Sequence, residues 1–283
     1  GSERMKQRPI KPLVDALREL GAEINYLENE GFPPLEIHGK KIEKNFVKIP
    51  ANISSQFITS LLLIGASLEN GLEIELQGEI TSRSYIKMTL KILKDIGVET
   101  HFEGNTIKIL SAASSLSNQK LDRHYHSSKI KHYTVESDWS SASYFYSLVA
   151  IGKKKMHLKS FYAHSLQGDS ALKEIYLKFF GVNTISDAGE NKITLLPDIH
   201  FQYPEKFVLD MNDCPDIAQT VCVTCVALKL PFEISGLATL KVKETDRLVA
   251  LQNELEKIGC KTEITDNSIK SLEFFEPKND ISI

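Results

Sequence analysis

The chain has 283 residues, enough for one large or two ordinary domains, and its 42% hydrophobic and 25% charged content is that of a folded globular protein, not a disordered or fibrous one. Its 34 basic against 37 acidic residues leave a net charge of −3, without the broad positive field that nucleic-acid binding draws on. An anionic ligand therefore has to be met by local cations.

The longest uninterrupted apolar run is Leu61–Ala66, far short of the ~20 residues of a membrane span. No leader pattern is legible. Four cysteines, Cys214, Cys222, Cys225 and Cys260, are too few for a disulfide framework in a chain this long, which points to a reducing cytoplasm. No membrane and no nucleic-acid partner is expected.

In chain order, the first helix reads from "KPLVDALRELGAEI", residues 11–24, and is stopped by Gly21. The same design returns in "IKMTLKILKDIGVET" (86–100), "ALKEIYLKFFGVNT" (171–184) and "LVALQNELEKIGCKT" (248–262), stopped by Gly97, Gly181 and Gly259. Apolar residues fall at helical spacing, as at Ile86, Leu90 and Leu93 or Leu248, Leu251 and Leu255. A glycine past the last turn supplies the left-handed closing position. The gaps between these glycines, 76, 84 and 78 residues, define a repeat.

Between the copies lies a second helix with a polar start and an apolar body: "SSQFITSLLLIGAS", "SDWSSASYFYSLVAIG" and "CPDIAQTVCVTCVAL". Short strands follow these helices ("LEIELQG", "KMHLKSF", "PFEISG"), and the segments after each glycine read as a hairpin. The predicted fold class is α/β (α+β): repeated β-α-β-α-β-β units forming two domains, 1–135 and 136–283. By this rhythm the chain starts half-way through a unit and stops before the next polar-start helix, as a central fragment does.

Residues 111–134 break the pattern. They are polar and read as a linker or exposed edge, with His124, His126 and His132 expected to be solvated. Cys222-x-x-Cys225 falls in an apolar helical run and reads as core. No Cys/His pair completes a zinc site, so no metal is expected.

Candidate chemistry gathers at the polar helix starts. In "KVKETDRL" (241–248), Lys243 and Arg247 stand at what reads as a helix N-terminus, where the macrodipole disfavours cations. Arg4, Lys6 and Arg8 occupy the equivalent place in the first copy. Such a start offers free N–H groups and suits a phosphate or carboxylate; the competing reading is a solvated face with Glu244 and Asp246 as partners. Ser54-Ser55-Gln56 presents two hydroxyls and an amide at a first turn, one serine serving as N-cap. Ser140-Ser141 reads as caps only. Asp216 reads as a cap carboxylate or a general base.

"VKETDRL", "SSQF", "ERMKQRPI", "PDIAQT" and "VESDWSSASYF" resemble, in order and spacing, the 5-enolpyruvylshikimate-3-phosphate synthase (3-phosphoshikimate 1-carboxyvinyltransferase) family, over essentially the whole chain. The resemblance implies two domains of three such units each, with helix N-termini converging on a cleft. It implies transfer of the enolpyruvyl group of phosphoenolpyruvate to the 5-hydroxyl of shikimate 3-phosphate, with release of phosphate, in aromatic amino-acid biosynthesis. No metal or organic cofactor is implied.

By the same resemblance, Ser54, Ser55 and Gln56 hold shikimate 3-phosphate, Gln56 also reaching phosphoenolpyruvate. Ser82 binds the shikimate phosphate with Tyr85 nearby, and Thr239 stands where many members carry an asparagine for that phosphate. Asp216 orients and deprotonates the 5-hydroxyl, Lys243 contacts the ring hydroxyls or the transferring oxygen, and Glu244 protonates the methylene carbon. Arg4 and Arg247 clamp the phosphate and carboxylate of phosphoenolpyruvate. The family's Lys-Ser…Arg and Asp-His-Arg-Met motifs are absent, so the chain alone is expected to lack useful turnover. The full-length enzyme is expected to be a monomer and the fragment to be open to self-association. Two rivals remain: an enolpyruvyl transferase acting on UDP-N-acetylglucosamine, and a non-catalytic repeat scaffold.

Overall fold

A computed structural model describes residues 3–52, 54–111 and 134–277. The three histidines His124, His126 and His132, and nearly all of the expected linker, lie outside the described residues. The chain divides into two compact units, Gly1–Tyr133 and Thr134–Ile283.

The first unit opens with the short helix α1 (Glu3–Lys6), then α2 (Lys11–Leu20) and an antiparallel hairpin of β1 (Glu23–Tyr26) and β2 (Leu35–His38). One whole repeat follows: β3 (Phe46–Pro50), α3 (Ser55–Gly65), β4 (Leu72–Gln77), α4 (Arg83–Asp95), β5 (Thr100–Glu103) and β6 (Thr106–Ile109). Its sheet has the order β3-β4-β6-β5, with β3 and β4 parallel and the other pairs antiparallel. Alternation in β3 buries Val47 and Ile49 and leaves Phe46 and Lys48 outside. The stripe Ile86, Thr89, Leu90 and Leu93 turns α4 onto that sheet, where it meets Ile58, Leu61 and Leu62 of α3.

The second unit carries α5 (Trp139–Gly152), β7 (Met156–Lys159), α6 (Leu172–Phe180), β8 (Val182–Asp187) and β9 (Lys192–Pro197). These three strands form a sheet of order β7-β9-β8. A further full repeat comprises β10 (Phe207–Asp210), α7 (Ala218–Ala227), β11 (Phe232–Ser235), α8 (Arg247–Lys257), β12 (Cys260–Ile264) and β13 (Ile269–Phe274). Its order, β10-β11-β13-β12 with β10 and β11 parallel, repeats that of the first unit. The core is aromatic, with Trp139, Tyr146, Tyr176, Phe180, Phe207 and Phe232 wholly buried.

Helix α7 is apolar on nearly every side because it is buried among other elements. Its small hydroxyls are used inside: Thr220 meets Ser143 of α5, and Thr224 bonds Ser147 and the Tyr176 hydroxyl, each at 2.8 Å. Cys222 and Cys225 are fully buried here, and burial pushes both thiols well up, as expected of core cysteines. The repeat glycines take the left-handed conformation; Gly181 closes α6 at φ 65°, and a Cβ there would overlap the Phe201 ring.

Two expectations about helix starts are corrected. Lys243 and Glu244 are not in a helix: Lys243 is extended (φ −79°, ψ −161°), and α8 begins at Arg247 with Asp246 as its N-cap. The macrodipole therefore does not oppose Lys243. In the first copy the basic cluster spans α1 and the turn after it, while α2 begins at Lys11 with proline at its first turn and no side-chain cap.

Candidate active site

In both complete repeats the first two strands run parallel, so the connections leaving them start from the same sheet edge. That edge, at the strands' carboxyl ends, is where open α/β sheets present ligand-binding residues. In the first unit it carries the heads of α3 and α4. In the second it carries the turn Pro215–Ile217 and the segment from Ala238 to Arg247.

At the head of α3, Ser54 is the N-cap: its Oγ accepts from the Gln56 N–H at 3.3 Å. Ser55 opens the helix, and Gln56 leaves its amide exposed. Replacing Ser54 by alanine will cost about 1 kcal/mol of stability in chemical denaturation, and a loss near zero would show the cap to be idle. Thr81 donates twice to the Ala51 carbonyl, from N at 3.3 Å and Oγ1 at 3.2 Å, tying the head of α4 to the turn before Ser54. The next residue, Ser82, is buried and left-handed (φ 50°, ψ 44°), and its side chain caps nothing in α4. A serine held there carries local strain that the helix does not require, a pattern common at ligand sites. Its carbonyl accepts from the half-buried Tyr85.

Arg4 falls on α1, and its side chain lies outside the described residues. Lys6 pairs with Glu28 at 3.1 Å on the exposed surface.

In the second unit the structure brings four of the expected residues together. Asp216 Oδ1 accepts from Arg247 Nη1 at 2.8 Å and lies 3.2 Å from Lys243 Nζ. Arg247 also grips Glu244 with two parallel bonds, Nε to Oε1 at 2.7 Å and Nη2 to Oε2 at 3.0 Å. The two cations thus face two acids of their own chain, Asp216 and Glu244. Asp246, the other partner expected for a solvated face, is occupied as the N-cap, accepting from Leu248 and Val249. Asp216 caps no helix; its carboxylate is spent on the cations. The bonds from Arg247 hold the Glu244 carboxyl down at about 2, so it is ionised here. Thr239, on the turn before Lys243, has a buried Oγ1 with no partner among the described residues.

One expectation about this unit fails. Ser140 and Ser141 do not cap α5: Asp138 does, accepting from both backbone N–H groups at 3.1 Å. This releases the Ser140 hydroxyl to bond Asp169, a wholly buried acid that the sequence reading did not single out. Among the described residues no group of three His, Cys, Asp or Glu side chains is placed to hold a metal, and no helix is long and apolar enough to cross a membrane.

The fold is that of the enolpyruvyl transferases. It matches an EPSP synthase structure from Acinetobacter baumannii with a TM-score of 0.60 at 20% identity, covering 99% of this chain and 60% of that one. It also matches the enolpyruvyl transferase NikO from Streptomyces tendae, with a TM-score of 0.59 at 13% identity, covering 93% of this chain and 58% of that one. At such identities the likeness concerns architecture alone.

The sequence goes further, since residues 1–277 match the EPSP synthase (3-phosphoshikimate 1-carboxyvinyltransferase) family, and the chain belongs to it. A 3-phosphoshikimate 1-carboxyvinyltransferase from Bacteroides fragilis is 42% identical over 272 residues, 96% of this chain and 62% of the relative. One from Haemophilus influenzae is 40% identical over 276 residues, 95% of this chain and 58% of the relative. The chain spans about three-fifths of the length of these relatives.

Proposed function

We propose that this chain supplies part of a cytoplasmic enzyme that transfers the enolpyruvyl group of phosphoenolpyruvate to the 5-hydroxyl of shikimate 3-phosphate, releasing phosphate. The observation that carries the reading is the Asp216–Lys243–Glu244–Arg247 cluster, set at the carboxyl edge of parallel strands within a family sequence. Such a transfer needs a proton on the methylene carbon and an oxygen nucleophile at the neighbouring carbon, which an acid and a base supply together.

Asp216 takes the proton of the 5-hydroxyl, and Lys243 steadies the oxygen that is left. Arg247, with Arg4, holds the phosphate and carboxylate of phosphoenolpyruvate, for which a guanidinium fork suits both groups. Ser54, Ser55, Gln56, Ser82, Tyr85 and Thr239 serve shikimate 3-phosphate. Glu244 donates to the methylene carbon once a substrate anion has drawn Arg247 away from it, because beside Arg247 it keeps no proton to give. The adduct then loses phosphate as its C–O bond breaks, and Glu244 takes a proton back from the methyl carbon, restoring the double bond. The domain bounds that go with this reading are 1–135 and 136–283.

Calorimetry tests the assignment. Shikimate 3-phosphate is expected to bind, and UDP-N-acetylglucosamine is not. Lys243→Ala should weaken shikimate 3-phosphate at least roughly tenfold, the loss of one charge-assisted hydrogen bond. Equal binding by both ligands, or no effect of the substitution, would overturn it.

A further inference from the structure

Asp169 lies on the turn Gly168–Ala171 that leads into α6. Only 1% of it is exposed. One carboxyl oxygen takes the Ser140 hydroxyl, and the other, Oδ1, is buried without a partner among the described residues. Burying an acid with half of its bonding capacity unused is unfavourable unless the position has another use.

The repeat and the packing both point to one. Asp169 stands twelve residues before Gly181, just as Tyr85 stands before Gly97 and Arg247 before Gly259. The turn carrying Asp169 and the turn carrying Asp216 both pack against α5, and the Asp216 turn packs in addition on the segment that leads to Lys243. The charged and titratable groups acting on Asp169 are Asp216, Asp138 at the head of α5, and Lys243, with the Cys214 thiol beside the Asp216 turn. On α6, Lys173 is turned away, bonding the Ala163 carbonyl and lying over the Trp139 ring.

We propose that Asp169 is a positioning residue of the site: a buried acid whose turn packs with the Asp216 turn against α5, and whose side chain answers to the charges of the Asp216–Lys243 pair. The role rests on the function proposed above, in which Asp216 is the base. The coupling itself is electrostatic. The charge on Asp216 disfavours a charge on Asp169, and Lys243 favours it. Burial first, then Asp216 and Asp138, push the Asp169 carboxyl up to about 6, while Ser140 and Lys243 pull it down. It therefore changes charge close to neutrality, where a small rearrangement at Asp216 alters its state.

Carbon-13 NMR of the carboxyl groups in the whole chain tests this, with Asp169→Asn assigning the resonance. Asp169 should titrate near pH 6. Asp216→Asn should lower that midpoint and Lys243→Met should raise it, each by roughly half a pH unit. An acid too far from the pair to act with it would respond to neither. Midpoints unchanged in both variants overturn the proposal, and if Asp216→Asn does not fold, Lys243→Met decides alone. The titration needs no substrate. A chain that shows these shifts and fails to bind shikimate 3-phosphate refutes the proposed function while leaving the acid pair in place.

Discussion

Trp139→Ala will destabilise the second unit by about 3–5 kcal/mol in denaturant unfolding, the cost of removing a large aromatic side chain from a packed core. The ring has no exposed surface. It meets Phe161 edge-on at 5.0 Å, and the Lys173 ammonium lies 5.3 Å from its centroid. The indole N–H donates to Glu136 Oε1 at 2.8 Å. The Glu136 carboxylate also receives the Tyr162 N–H, the Ser165 hydroxyl and the Gln167 amide, so it gathers the loop that leads to Asp169. Trp139→Phe separates the two contributions: it keeps most of the apolar contact, loses the N–H bond, and should cost only about 1–3 kcal/mol. Equal losses for both variants would place the effect in the hydrogen bond, not in packing.

The second large effect depends on pH. The Asp169 carboxyl is raised from its ordinary 3.8 to about 6, chiefly by burial. The folded chain therefore keeps this proton at a pH where the unfolded chain has lost it. The resulting stabilisation is complete below about 3.8 and disappears as pH rises through about 6, an amount on the order of 3 kcal/mol. Asp169→Asn can still accept from Ser140 and has no charge to bury. It should equal or exceed the natural chain in stability at pH 7.5, by up to roughly 3 kcal/mol, and lose that advantage by pH 4. Unfolding curves taken at half-unit steps between those limits measure it. Parallel slopes for the two proteins would mean that Asp169 is solvated and ordinary.

The periodic signal explains why so much of the fold was legible in the chain. Ile86, Leu90 and Leu93 fall on the buried stripe of α4, and the segments after Gly97, Gly181 and Gly259 form hairpins. These are local consequences of spacing and glycine chemistry. What spacing could not show was where a helix begins once a side chain chooses between partners. Asp246 rather than Lys243 marks the start of α8, because its carboxylate takes two free N–H groups of the first turn. Asp138 outcompetes Ser140 and Ser141 for the same reason.

The candidate site was legible as a list of polar residues and not as pairings. Lys243, Glu244 and Arg247 stand out in one motif, but that Asp216, some 30 positions earlier, answers both cations depends on two parallel strands sharing an edge. Asp169 escaped notice because a lone acid in a polar turn looks solvated. Only its burial and its register relative to Gly181 distinguish it.

The ion quartet has a consequence for how a visitor is chosen. Two positive and two negative groups held within contact distance cancel at long range, so the cluster casts little field into the surrounding solvent. A newcomer must outbid Glu244 for both prongs of one guanidinium, which only a planar or multiply charged group of matching shape can do. Under the proposed function, discrimination is thus exercised at touching distance, by exchange of one acid for another, and hardly at all during approach.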